Sequence, residues 1–239
     1  MSRRAIQAFL GLAAVLLGAS VTAGRVVASA GRTGGQAPLT PHAASRVLIR
    51  VLDTESSLGP LAQTPQEVTL ADLVLFHGHP CDGLIAAAEG ITLGLKTLFP
   101  DGVVDRTDVA AATNASPCYS DVAAYLTGAR TLYGTLVIDR TLGDEWVLVR
   151  RSTGKAVTVR LKPGIKPADL PAMEKKLRAA GCDGPLIARV QSLQQTFIRR
   201  LLASVPGSLY EVTVLPAFPY FVTGERPDSA KARCGEHGR

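Results

Sequence analysis

The chain has 239 residues, 46% of them apolar and 19% charged, enough for one sizeable core or for one domain with an appendage. Its formal charge of +6 is spread along the sequence with no basic block interleaved with aromatics, which argues against nucleic-acid binding. It holds no phosphate loop, dinucleotide fingerprint or Ser/His/Asp arrangement, and with aromatics at 5% the core must be packed from small aliphatic side chains.

Residues 1–23 read as a bacterial secretory signal peptide. Arg3 and Arg4 start it, Ala5 to Val21 carries no charge, and Val21-Thr22-Ala23 offers a small-residue cleavage site before Gly24. Ala28-Ser29-Ala30 is a second possible cut. Ser2-Arg3-Arg4 hints at twin-arginine export, although the next phenylalanine is only at Phe9. The expected location is therefore the periplasm or outside the cell. Membrane contact is expected only through this segment if it stays uncleaved, and its apolar run is short for a span of about 20 residues.

Residues 24–45, rich in Gly, Ala, Thr and Pro, read as a flexible linker. Arg46 to Leu52 predicts a strand, Ser56 to Glu67 a loop, and Leu70 to Phe76 a short helix capped by Thr69 with Asp72 near its start.

The next stretch, His77-Gly78-His79-Pro80-Cys81-Asp82-Gly83, places two imidazoles and a thiol within five residues. Pro80 and the glycines exclude helix interior and favour a turn that aims several side chains at one point. A lone histidine is more often structural. Two of them beside a cysteine make the donor set that zinc, iron or copper prefers.

Leu84 to Phe99 has apolar residues at helical spacing, which puts Cys81 at or just before a helix N-terminus. There the dipole and free amides favour thiolate. Gly90 and Gly94, four apart, predict close approach by another backbone. Thr107 to Ala112 reads as a strand, and Ser116-Pro117 opens a helix from about Tyr119 to Ala129 with Cys118 at its start. Strands follow over Thr135 to Arg140, Glu145 to Arg151 and Ala156 to Leu161, the last two joined by a Thr153-Gly154 turn.

Residues 164–222 read as a C-terminal extension packed on the first unit. It comprises helices over Ala168 to Ala180 and Leu186 to Ser204, then a strand over Ser208 to Leu215. Arg199 and Arg200 read as solvated surface, and residues 223–239 as a polar tail. Of the remaining cysteines, Cys182 reads as a loop thiol and Cys234 as a tail thiol, free or paired with Cys182. Disulfide pairing of Cys81 with Cys118 is the alternative to metal binding, because spacing alone leaves connectivity open.

Residues 76–83 together with Cys118-Tyr119-Ser120-Asp121, the helix ending Thr127-Gly128 and the strands from Gly134 to Leu161 resemble the FmdE family of formylmethanofuran dehydrogenase components. The likeness spans roughly residues 69–163. It implies an α+β fold: a helix-strand-helix-three-strand core, here with a C-terminal helical and strand extension, and a metal-binding domain over residues 46–163. It also implies a metal, usually zinc, held by His77, His79, Cys81 and Cys118, with Asp121 as a neighbouring support or alternative ligand.

The chain departs from the family pattern at Asp82, where proline is usual, and at Ala129, where a cysteine commonly follows Thr-Gly. The family's C-terminal Cys-X-X-Cys ribbon is missing. The first functional expectation is an exported metal-binding protein, accessory to a redox or metal-handling system, with homodimerisation an open question. The second is a metal-dependent enzyme with an open zinc or iron site. The third is a disulfide-stapled module, without metal, that binds haem or another small ligand.

Overall fold

The computed structural model describes residues 38–54, 64–181 and 183–223. The expected signal peptide, most of the linker, Cys182, Cys234 and the polar tail beyond Thr223 lie outside the described residues. The end of the expected linker is not extended: Pro41–Ala44 forms a helical turn, α1, with the Thr40 hydroxyl accepting from the Ala43 amide.

In chain order there follow β1 (Val47–Leu52), β2 (Gln66–Thr69), α2 (Leu70–His77), α3 (Asp82–Leu98), β3 (Val103–Asp105), β4 (Val109–Thr113), α4 (Pro117–Thr127), β5 (Leu136–Ile138), β6 (Glu145–Arg150) and β7 (Ala156–Leu161). The chain continues with α5 (Leu170–Ala180), α6 (Gly184–Ala203), α7 (Pro206–Leu209) and β8 (Tyr210–Leu215). These elements make an α+β fold with two mixed sheets, ordered β2-β1-β3 and β5-β4-β6-β7-β8. Among the described residues no helix is long and apolar enough to cross a membrane.

Two of these strands were not expected. Gln66 and Glu67 fell in the predicted loop, yet they pair antiparallel with Val51 and Arg50. Val103 to Asp105 pairs parallel with Arg50 to Leu52. Both strands are short and their stability comes from β1, so neither shows the alternation that betrays a longer strand.

Helix α3 is the centre of the molecule. Thirteen of its 17 residues are buried, so it has no solvent face of the kind an amphipathic surface helix keeps. It packs on β6 and β7, on α4 and on α6. Gly90 and Gly94 do allow a close approach, but by side chains rather than by another backbone. A Cβ at Gly90 would lie 2.6 Å from the Trp146 ring, and one at Gly94 would lie 2.7 Å from both Leu148 Cδ1 and Val159 Cγ2. Trp146 is fully buried between Tyr119 and Tyr210, with ring centroids at 4.9 and 6.2 Å, and has no room to retreat.

Gly90→Ala is accordingly expected to destabilise the protein. Overpacking costs about 1–3 kcal/mol, only partly offset by the roughly 1 kcal/mol that alanine gains over glycine in a helix. Urea unfolding checks this: the midpoint should fall at unchanged slope, and a midpoint above wild type would contradict the packing described.

The C-terminal segment contributes to both the larger sheet and the packing around α3. β8 pairs antiparallel with β7 from Tyr210↔Leu161 to Leu215↔Ala156, completing the larger sheet. α6 buries Val190, Phe197, Ile198 and Leu201. Arg200 is not simply solvated: its guanidinium donates to the carbonyls of Gly164 and Ile165 at 2.9 and 3.0 Å, tying α6 to the loop before α5.

Candidate metal centre

Three helix termini meet at the His-Gly-His-Pro-Cys turn. Thr69 and Asp72 form a reciprocal capping box that starts α2, and the helix ends at His77 because Gly78 takes a left-handed conformation, φ +100°. The chain turns through His79 and Pro80 and re-enters helix with Cys81 as the N-cap of α3, its sulfur accepting from the Leu84 amide at 3.3 Å. Cys118 lies in the first turn of α4. Gly83 lets these two helix starts touch: a Cβ there would be 3.0 Å from Cys118 Cβ and 3.2 Å from its sulfur. Phe76 against Tyr125, with centroids at 5.3 Å, links the end of α2 to α4.

The ligand atoms of His77, His79 and Cys81 all lie within 4.8 Å of one another. His77 is held from outside: its Nδ1 is 2.8 Å from Asp121 Oδ2, while Nε2 faces Cys81 Sγ at 3.6 Å. With the proton on Nδ1 donated to the carboxylate, the Nε2 lone pair points inward, the arrangement by which carboxylates orient metal-binding histidines. Cys118 lies outside the three-residue cluster but touches it, with its sulfur 3.2 Å from that of Cys81. Both cysteines are free thiols, their sulfurs well beyond the disulfide bond length of about 2 Å.

The sulfur pair shares a proton. The hydrogen bond to Cys118, then burial, pushes the Cys81 thiol up. The hydrogen bond from Cys81, aided by the electrostatic influence of His77 and by hydrogen bonds from Ser116 and His77, holds Cys118 down to about 6 against the effect of its own burial. One sulfur is thus a thiolate near neutrality and the other becomes one when an ion displaces its proton. Two imidazoles and two thiols, one of them ionised, suit a borderline-soft divalent ion.

Of the five residues expected at the site, His77, His79 and Cys81 form the cluster, Cys118 touches it through Cys81, and Asp121 stands behind His77. What the sequence did not reveal is the cleft onto which His79, Cys81 and Cys118 open, about 740 Å³ in volume and walled on its far side by α5 and α6. Asp82 lies in its floor, 6% exposed, and burial, with the charge of Glu174 adding and Lys166 opposing, pushes its carboxyl up to about 6. The Tyr119 hydroxyl donates to Asp144, which also receives the Lys166 ammonium at 3.4 Å. Burial and the nearby Asp144 charge keep the Tyr119 phenol well above its usual range, hence protonated. The adjacency of Asp82 to Cys81 and of Tyr119 to Cys118 could have signalled part of this, whereas Asp144, Lys166 and Glu174 come from loops and helices far along the chain.

A family model described as FmdE, molybdenum formylmethanofuran dehydrogenase operon, matches residues 76–210, a span holding all the candidate ligands together with α5 and α6. No curated protein matches the chain. Three chains of solved structures do, among them the crystal structure of a tungsten formylmethanofuran dehydrogenase FmdE-like protein from Syntrophus aciditrophicus. That protein is 18% identical to this one, with a TM-score of 0.41, over 67% of this chain and 79% of its own.

Proposed function

Because the chain belongs to the FmdE family, we propose that it is an exported metal-binding protein whose ion is zinc, held by His77, His79, Cys81 and Cys118. The convergence of three ligand atoms within 4.8 Å, with a second thiol in contact, carries this reading. Zinc is favoured over iron or copper because the set mixes imidazole and thiolate without a thioether or a carboxylate-rich shell. Asp121 orients His77 and the Leu84 amide holds Cys81, while the contact with Cys118 and burial outweigh the pull of the α3 start toward thiolate. With all four ligands engaged the ion would be closed and structural, whereas His77, His79 and Cys81 alone would leave it a Lewis-acidic position toward the cleft.

Elemental analysis beside free-thiol titration tests the assignment. About one equivalent of zinc with no disulfide supports it, whereas no metal and a Cys81–Cys118 disulfide would leave a stapled binding module instead. The basic start and apolar run of residues 1–23 support export. Intact mass of protein recovered from a bacterial periplasm should begin at Gly24 or Gly31, and retention of Met1 would contradict it.

Asp121→Asn is expected to weaken zinc affinity about 10- to 100-fold, the usual effect of removing a carboxylate that orients a ligating histidine. Competition against a chromophoric chelator measures it, and an unchanged affinity would remove Asp121 from the site. A second reading, an enzyme using the open position of the ion, is favoured by the polar cleft that meets the ligands. Turnover of any substrate lost on removal of the metal would distinguish it.

A further inference from the structure

The cleft beside the ligands has the size of a small-molecule site, with its roughly 740 Å³ inside the usual range of about 300–1,000 Å³. Its charges are of both signs, and three of the five charged side chains have a side-chain partner. Asp144 is engaged by the Tyr119 hydroxyl and by Lys166, and Glu174 accepts the Gln194 amide at 2.9 Å.

Two charged side chains of the cleft have no side-chain partner among the described residues. Asp82 is 6% exposed and faces the cleft, yet among the described residues it makes no ion pair or hydrogen bond with another side chain, and only the neighbouring Gly83 amide reaches its carboxylate. Arg178, on the α5 wall, is exposed and likewise has no partner among the described residues. A nine-tenths buried carboxylate without a counter-charge is costly unless something brings one. Glu174 lines the same cleft and Lys166 is already placed on Asp144, so neither supplies Asp82 with a partner.

A ligand of one sign would satisfy Asp82 or Arg178 and meet repulsion at the other. We propose that the cleft binds a small zwitterion of the amino-acid class, its ammonium on Asp82 and its carboxylate on Arg178. Contact between the ligand and an ion on His79, Cys81 and Cys118 rests on the metal reading above, whereas the Asp82 and Arg178 contacts do not.

Calorimetric titration of the purified full chain with the common amino acids and glycylglycine tests this, with succinate and putrescine as single-sign controls and metal content measured on the same samples. At least one zwitterion should bind with a Kd below about 1 mM, and both controls should bind at least about tenfold more weakly. Asp82→Asn and Arg178→Ala should each weaken that zwitterion about tenfold or more, the scale of one lost charge-assisted hydrogen bond. The exposed Arg178→Ala change keeps the test decisive should Asp82→Asn fail to fold.

Absence of any zwitterion binding, a control that binds as tightly as the best amino acid, or wild-type affinity in Arg178→Ala would each overturn the assignment. Zinc present without zwitterion binding would leave the metal centre standing and sink the cleft assignment. Zwitterion binding that responds to Arg178→Ala in a metal-free protein would do the reverse.

Discussion

Cys81→Ser is expected to abolish stoichiometric zinc binding while leaving the fold intact. The two roles of Cys81 make this substitution informative. As a ligand it is the one buried residue of the cluster, and its sulfur contacts both His77 and Cys118. As an N-cap it accepts the Leu84 amide, and serine is the better residue for that task. The cap therefore survives and the soft donor does not. A hydroxyl does not ionise near neutrality, so the site would keep two imidazoles and one thiolate, an incomplete set for a structural zinc. Elemental analysis should find about one equivalent of zinc in wild type and almost none in the variant, with superimposable far-ultraviolet circular dichroism. Full zinc occupancy in Cys81→Ser would mean that the ion, if bound, sits elsewhere.

The same sulfur pair sets a pH dependence. In the metal-free site Cys118 is held down to about 6 while Cys81 is pushed up, so between pH 6 and 8 the pair carries one proton that zinc must displace. Affinity should therefore rise with pH, about tenfold per unit for one proton released. Below about 6 it should fall more steeply as Cys118 also takes a proton. A slope near zero across pH 6.5–8 would show that Cys81 is already ionised or takes no part in binding.

How much of this could be read from the residues alone follows from how local each feature is. His77, His79 and Cys81 sit within five residues, and proline and glycine make the turn that gathers them, so the sequence displays the cluster directly. Cys118 needed the family resemblance, because only Gly83 packing on it brings the second helix start into contact. Asp121 came the same way, one helical turn further on. The cleft was hidden: Asp82, Lys166 and Arg178 are charged residues without periodic neighbours, and only the fold places them around one volume. The short strands β2 and β3 were hidden for a related reason, since three or four residues paired to β1 carry no alternation of their own. The strand at Tyr210 was visible as a strand, but its partner was not, because register is a property of two segments and the sequence shows one at a time.

Removing the Tyr210 ring should cost nearly as much as removing a core tryptophan, although this residue lies in what reads from sequence as an extension. Tyr210 is 2% exposed, neighbours Trp146, and would meet any Cβ placed on Gly90 at 3.1 Å. Its hydroxyl donates to the Ala86 carbonyl at 2.9 Å, joining β8 to α3 within the core. Burial and the Glu89 charge keep the phenol well above its usual range, so it stays a donor.

Tyr210→Ala is therefore expected to destabilise the protein by about 3–5 kcal/mol, the usual cost of deleting a large buried ring. Tyr210→Phe keeps the ring and loses only the hydrogen bond, at about 1–2 kcal/mol. Chemical denaturation of both variants measures the difference. Were β8 a loosely packed appendage, both substitutions would fall near zero and truncation before Pro206 would leave a stable, zinc-binding core. With β8 completing the sheet on which α3 rests, truncation should instead yield a chain that neither folds cooperatively nor retains zinc, since the N-terminus of that same helix holds Cys81 in place.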